Sequence, residues 1–503
     1  MSKLIGTSMK KYFQLRKYQI DIWKKTALAS QEFIFSDLLT TAQHTEFGRK
    51  YNFSEINSYQ GFQLKIPISQ YEDLEPMITR MQKGEEDILW PGKITCFSKS
   101  SGTTNDVSKY IPVSHASLYS NNYKAGRDIY SMFFDNYPEC DLFSHEGKGF
   151  TLGGSLETNK YNIKVGDISA IIISELPAWA EKSREPSLDI ALMPEWKTKI
   201  PAMIANTVGK NITHISGVPT WFVSLFDELQ KTHPYMTLRD IWPNLELFIH
   251  GAVAFAPYRV IFEKLLPFDD MKYMEVYNSA EGFFAIQDDP TKRGEMLLLT
   301  DHGVFYEFIS MSTYGTGESV AIPLSQVHIG IDYAMVISNN TGLWRYDLGD
   351  TVCFTSINPY RIKISGRTKH FINVFGEELM VGNTDEAITI VSEKTGAMID
   401  HYTAGPIFMN DQGQGGHEWV IEFKQEPKNS DEFITLLDQT LQSLNSDYAA
   451  KRQDNIALQE LKLNIVKSGT FMQWMEKRGK LGGQHKVPRL SNKREYIEDL
   501  LDI

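Results

Sequence analysis

SKSSGTTNDVSKYIPVS, residues Ser98 to Ser114, is an extended run that stops at a cluster of small polar residues and then resumes. TCFSKS on one side and YIPVS on the other have strand composition, so the stretch predicts strand, loop, strand. Inside the loop, Ser100, Ser101, Thr103 and Thr104 gather hydroxyls around flexible Gly102, and Lys109 follows five residues after Thr104. Hydroxyl and backbone N–H donors on such a loop can wrap a triphosphate, with the ammonium neutralising charge. A solvated surface turn has the same composition.

Working outward, the pattern alternates. Lys3 to Arg49 reads as helix, through Leu4, Tyr12, Leu15, Tyr18, Ile22 and Trp23 and then Phe33, Phe35, Leu38 and Leu39. KIPISQYEDLEPMITRM is a turn-rich passage into a further helix, and a long helix carrying Tyr119, Tyr123, Ile129, Tyr130 and Phe133 follows the loop. Helices and short apolar segments continue to about Leu266, which predicts an α/β architecture. Between Glu295 and Val374 the pattern turns to paired, largely antiparallel strands. EMLLLT is expected to pair with VFYEFIS around Asp301 to Gly303, and YAMVISN with LWRYDLGDTVCFT around Asn339 to Gly342. Beyond Phe371 a helix near Thr384, a strand at EWVIEF, a helix over Asp431 to Leu444 and a strand at LKLNIVK suit a small α+β domain of about 130 residues.

The 503 residues, 42% hydrophobic and 23% charged, hold ample apolar material for two domains of unequal size. A net charge of -12 argues against generic binding to nucleic acid or to an anionic membrane. Cys96, Cys140 and Cys353 encode neither a disulfide framework nor a zinc site, which fits a reducing compartment. No apolar run approaches the about 18 residues of a spanning helix, so a cytoplasmic protein is expected. No oligomeric state follows from the pattern.

Familiar motifs are missing. The Gly-Lys pairs at Gly92, Gly147, Gly209 and Gly479 lack the earlier glycine and the following hydroxyl of a Walker loop. GQGG at Gly413 and GKGFTLGG at Gly147 miss the dinucleotide spacing, and neither H-E-x-x-H nor G-x-S-x-G occurs.

Four more segments carry chemistry. VYNSAEG, Val276 to Gly282, sets an aromatic, small residues and a carboxylate close together: Tyr277 could cover an adenine face and Glu281 could hold Mg²⁺. In GLWRYDLGDTV, Gly342 to Val352, ionised Asp350 could accept from two vicinal ribose hydroxyls. ISGRTKHFINVFGEEL, Ile364 to Leu379, offers the Arg367 fork for phosphate or ribose at an expected domain boundary. GQHKVPRL, Gly483 to Leu490, places Lys486 in a segment that cannot be regular helix throughout. Each alone suits a solvated loop.

In this order the five segments resemble the auxin-responsive Gretchen Hagen three family of acyl acid amido synthetases, which includes jasmonoyl- and indoleacetyl-amino acid synthetases, within the adenylate-forming superfamily of acyl-CoA synthetases and luciferases. TEFGRKY (Thr45 to Tyr51), IPISQYEDLEP (Ile66 to Pro76) and WPNLELFIHGAVAFAPY (Trp242 to Tyr258) extend the resemblance over nearly the whole chain. It departs from the pattern at Asn105-Asp106, where many relatives have Ser-Gly.

The resemblance implies a large N-terminal luciferase-like domain with mixed sheets, residues 1–368, holding the ATP and acyl sites, and a mobile α+β lid, residues 369–503. It implies ATP as substrate and Mg²⁺ as cofactor, with a carboxylic acid and an amino acid as the small-molecule partners. Ser100 to Thr104 and Lys109 would hold phosphates. Gly251, Tyr277, Ser279, Asp350, Arg367 and Phe375 would contact nucleotide, and Glu281 and Lys486 would act in catalysis, Glu281 also at the metal. Relatives bind the acid near a helix that here carries Arg127 and near HISGVPTWF, which contributes Val218 and Trp221. An acyl-CoA ligase with the same adenylation chemistry, or a nucleotide sensor without turnover, would use part of the same set.

Overall fold

The computed structural model describes residues 2–503 except 101–108, 253–254, 369–370, 373–378, 409–414, 446–447, 450–451, 453–457, 479–486 and 492. Its contacts divide the chain into two compact units. One comprises Met1–Val253, Leu266–Leu348 and Cys353–Lys363; the other comprises Ala254–Leu265, Gly349–Val352 and Ile364–Ile503. Among the described residues no helix is long and apolar enough to cross a membrane.

The larger unit is built on a mixed sheet with parallel and antiparallel halves. Lys148–Leu152, Ile212–Gly217, Leu247–Gly251 and Lys272–Ser279 run parallel, each paired with the next. Helices connect them, as parallel pairing requires: Trp196–Thr207 precedes Ile212–Gly217, and Pro219–Thr232 follows it. Lys272–Ser279 is also antiparallel to Gly282–Ile286, which passes the sheet on to Met296–Leu298 and then Tyr360–Arg367. That change of direction sits at a two-residue hairpin, Ala280-Glu281. Of the strand, loop, strand expected at Ser98–Ser114, the two strands are present as Cys96–Ser100 antiparallel to Lys109–Val113, within a separate four-stranded sheet.

Three expectations are corrected by the packing. The N-terminal helix, Ser2–Lys25, buries Phe13, Ile20 and Trp23, whereas Tyr12, Leu15, Tyr18 and Ile22 are exposed. Its inward face is chosen by Arg16, which is buried against Asp128. Met296–Leu298 pairs with Gly282–Ile286 instead of Val304–Ser310, which pairs with Asp332–Asn339 and Ala321–Pro323. YAMVISN and the following strand are sheet neighbours as expected.

The third correction concerns the smaller unit, which adds a strand that the sequence pattern did not suggest. Met398–Ile407 pairs antiparallel with Gly416–Gln425, which is parallel to Lys462–Val466. Val381–Thr395 and Ser430–Leu444 supply its main helices, and Ile388, Val391, Trp419, Ile421, Phe433 and Leu437 lie in its core.

One buried group in the parallel half makes the larger unit sensitive to acid. His214 on Ile212–Gly217 is 4% exposed, with Nε2 2.9 Å from the Tyr130 hydroxyl and Nδ1 3.0 Å from Thr213 Oγ1. Burial pushes its imidazole from 6.5 down to about 4. The folded pKa lies below the unfolded one, so its stability contribution is complete above 6.5 and is lost as pH falls toward about 4. We expect that loss to reach about 3 kcal/mol. Urea denaturation between neutral pH and pH 4 should show a flatter slope for His214→Gln; an unchanged slope would count against the assignment.

Candidate active site

Strand register sets the geometry of this site. Leu152 pairs with Gly217, Gly217 with His250, and Gly251 with Val276, so the carboxyl ends of the parallel strands line up side by side. Ligands of open α/β sheets bind beyond such ends, where the strand order changes. Val218, Gly251, Ser279 and Glu281 all lie at those ends. The larger unit thus brings together four residues separated by up to 63 positions in sequence, the step from Val218 to Glu281.

Gly251 is required by close approach. A Cβ there would lie 2.5 Å from the Val276 carbonyl oxygen and 3.0 Å from Val276 Cγ2. Its backbone can therefore run against the strand that carries Tyr277. Tyr277 itself is 5% exposed and packs on Phe284 with ring centroids 5.1 Å apart.

Glu281 occupies the second position of the hairpin turn and is 8% exposed. One carboxylate oxygen accepts from the Ser279 hydroxyl at 2.6 Å, and that hydroxyl oxygen accepts from the Glu281 N–H at 3.2 Å. Ser279, expected to contact nucleotide, therefore orients the carboxylate. A small cavity beside the turn is lined by Glu281, Ser117, Asn121, Asn122, Asn339, Asn340 and Thr341, with Val113, Ile168, Ala280, Gly282 and Val304 making up the rest of its wall. Five of its twelve lining residues are apolar or glycine, and Glu281 is the one carboxylate among them. Among the described residues no cluster of three or more His, Cys, Asp or Glu could cage a metal. A lone carboxylate nevertheless fits Mg²⁺, which is commonly held by one or two carboxylates together with substrate phosphates.

None of the asparagines here is among the residues expected from the motifs. Asn339, Asn340, Thr341 and Gly342 form the turn after Asp332–Asn339, where Gly342 has φ +94 and a Cβ would meet Leu89 Cβ at 2.7 Å. Asn340 Nδ2 donates to Ser120 Oγ at 2.7 Å, and the Ser114 hydroxyl donates to the Asn340 carbonyl at 2.6 Å. The signal was the Asn-Asn doublet, at residues 121–122 and again at 339–340. Read as turn chemistry, the second doublet hid a structural contact.

The other expected residues are placed as follows. Lys109 opens its strand opposite Ser100, with Nζ 5.5 Å from the Tyr71 ring centroid. Arg127, on Tyr123–Asn136, is half-buried with Nε 3.7 Å from Asp128 Oδ1. Val218 is the N-cap of Pro219–Thr232, and the half-buried Trp221 meets Trp196 edge-on at 5.4 Å. In the smaller unit, Arg367 Nε donates to Asp350 Oδ1 at 2.7 Å, which unites two residues expected to contact ribose or phosphate. Ser100 ends Cys96–Ser100. Ser101, Gly102, Thr103, Thr104, Phe375 and Lys486 lie outside the described residues.

Comparison with known proteins follows the same layout. The family model for the GH3 family N-terminal domain matches residues 16–271, that for the central domain 297–367, and that for the C-terminal domain 382–495. A probable indole-3-acetic acid-amido synthetase, GH3.1 of Arabidopsis thaliana, is 22% identical over 96% of this chain and 92% of its own length. Jasmonoyl–L-amino acid synthetase JAR6 of Nicotiana attenuata is 22% identical over 97% of this chain and 95% of its own. Among solved structures, GH3.15 acyl acid amido synthetase shares the fold with a TM-score of 0.77 at 17% identity, covering 96% of this chain and 95% of that one.

Proposed function

The chain belongs to the GH3 family, and we propose on that footing that it is an acyl acid amido synthetase. It would activate a carboxylic acid as acyl-AMP, release pyrophosphate from ATP, and transfer the acyl group to the amine of an amino acid. One observation supports this reading above others. Gly251 and Ser279 end adjacent parallel strands and Glu281 follows in the turn, at the edge where an α/β sheet takes a ligand.

Bringing a carboxylate up to the α-phosphate of ATP opposes two anions, so positioning and charge neutralisation carry the first half-reaction. Glu281 would hold Mg²⁺, which when bound supplies positive charge to the phosphates. Ser279 keeps the carboxylate turned. Close packing at Gly251 and Tyr277 would shape the adenine end, and Asp350 would accept from the ribose hydroxyls. Ser100, Ser101, Gly102, Thr103, Thr104 and Lys109 would donate to the phosphates, as would Arg367, with Phe375 against the nucleotide. Arg127, Val218 and Trp221 would line the acid site. The amine then attacks the acyl carbonyl, the C–N bond forms as the C–O bond to AMP breaks, and the amine proton leaves to solvent. No nucleophilic side chain is needed.

Lys486 would serve adenylation alone. The C-terminal domain, residues 369–503, would then reorient for transfer, a lid motion that separates the two half-reactions.

A pyrophosphate-release screen over aryl, indole and fatty acids, with amino acids or coenzyme A as acceptor and products weighed by mass spectrometry, tests this. We expect release with one acid class and an acyl-amino acid product. In the same assay Lys486→Ala should abolish acid-dependent ATP–pyrophosphate exchange yet spare aminolysis of supplied acyl adenylate. ATP binding without release for every acid sinks the reading, and a thioester product converts it to an acyl-CoA ligase.

A further inference from the structure

Glu281 belongs to a two-residue turn, which has few main-chain bonds of its own to hold it still. Two asparagines supply them from distant parts of the chain. Asn339, 1% exposed, donates from Nδ2 to the Glu281 carbonyl at 2.8 Å. Its Oδ1 accepts from the Thr341 N–H at 3.1 Å, the Thr341 hydroxyl at 2.6 Å and the Leu343 N–H at 3.3 Å. Backbone N–H donors on that oxygen permit only one orientation of the amide, so the NH₂ group is committed to Glu281.

Asn121, also 1% exposed, grips the chain two residues further on. Its Oδ1 accepts from the Phe283 N–H at 2.8 Å, and its Nδ2 donates to the carbonyls of Phe283 and His302, both at 2.9 Å. It sits in a π-helical turn, Leu118–Asn122, that buries two successive asparagines; such irregularities concentrate at functional sites. Asn122 Oδ1, without a hydrogen-bond partner among the described residues, lines the same cavity as Glu281.

We infer that Asn339 and Asn121 are positioning residues for Glu281, fixing the main chain at Glu281 and two residues beyond it so that the carboxylate meets its metal with its orientation already set. The inference rests on the proposed metal role of Glu281. Groups that orient a metal ligand from behind typically change metal affinity by about 10- to 100-fold when removed.

The test is Mn²⁺ affinity in the presence of a non-hydrolysable ATP analogue, followed by the electron paramagnetic resonance of the free ion. Asn339→Asp keeps an acceptor for its own turn and replaces only the donor that faces Glu281. It should weaken Mn²⁺ binding about 10- to 100-fold with circular dichroism unchanged. Asn121→Ser should act in the same direction and decides the matter if Asn339→Asp does not fold. Asn136→Ala, whose amide bonds the Asp288 carbonyl at 3.0 Å outside that cavity, should bind as wild type. Equal weakening by Asn136→Ala, or wild-type affinity in a folded Asn339→Asp or Asn121→Ser, overturns the inference alone. Wild-type protein that takes up no Mn²⁺ with the analogue overturns the metal role of Glu281, and the inference with it.

Discussion

Glu281→Gln should lower acid-dependent pyrophosphate release by roughly 10²- to 10³-fold, the size of effect seen when one preorganised electrostatic group is removed from a reacting site. The substitution is nearly isosteric. The introduced amide could still accept from the Ser279 hydroxyl through its remaining oxygen, and the main-chain bonds from Asn339 and Asn121 involve no Glu281 side-chain atom. The fold should therefore persist, and the loss should appear in turnover and in the Mg²⁺ concentration needed for half-maximal rate. Steady-state kinetics at varied Mg²⁺, with thermal denaturation as the control, measures both. Turnover at the wild-type level would remove Glu281 from the mechanism, whatever becomes of the rest of the site.

The same residue shows how much of the site the sequence carried. VYNSAEG presents its carboxylate to any reader, because an aromatic, small residues and an acid at the end of an apolar run are visible in seven letters. The asparagines that hold it are not. Asn121 acts across 162 positions and Asn339 across 58, and both act on main-chain atoms that have no signature of their own.

The fold divides in the same way. Period and turn chemistry located Cys96–Ser100, Lys109–Val113 and Ser430–Leu444, which are decided within each segment. Pairing is decided between segments, so Asp301 to Gly303 looked like a hairpin although Met296–Leu298 turns to Gly282–Ile286. Met398–Ile407 escaped notice because MIDHYTAGPI mixes charge, Gly and Pro where a strand would show alternation. On the first helix two apolar stripes compete, and the polar residue between Phe13 and Ile20 decides which one goes in.

That residue, Arg16, leads to the largest stability effect we expect. Asp128 is fully buried on Tyr123–Asn136 and receives a fork from Arg16, Nε to Oδ1 at 2.8 Å and Nη2 to Oδ2 at 2.9 Å. His302, also fully buried, places Nε2 3.2 Å from Asp128 Oδ2 and Nδ1 2.7 Å from Asp301 Oδ1, while Lys124 Nζ holds Asp301 Oδ2 at 2.8 Å. Burial pushes the Asp128 carboxyl up, but the close His302 ring and the Arg16 fork outweigh it and hold the group below the ordinary range. Asp128→Asn keeps the shape and removes the charge, and its NH₂ group would face N–H donors from Arg16 or His302. Breaking one partner out of a buried ion pair costs about 3–5 kcal/mol, because the other charge stays buried without compensation. Urea denaturation at neutral pH should show that loss for the larger unit. Arg16→Met should cost less, since His302 still faces the carboxylate, and Arg16→Met with Asp128→Asn should cost less than the sum of the two. A loss below about 1 kcal/mol for Asp128→Asn would place it with the median surface pair, and the burial of Phe13, Ile20 and Trp23 would then carry more of the first helix's anchoring.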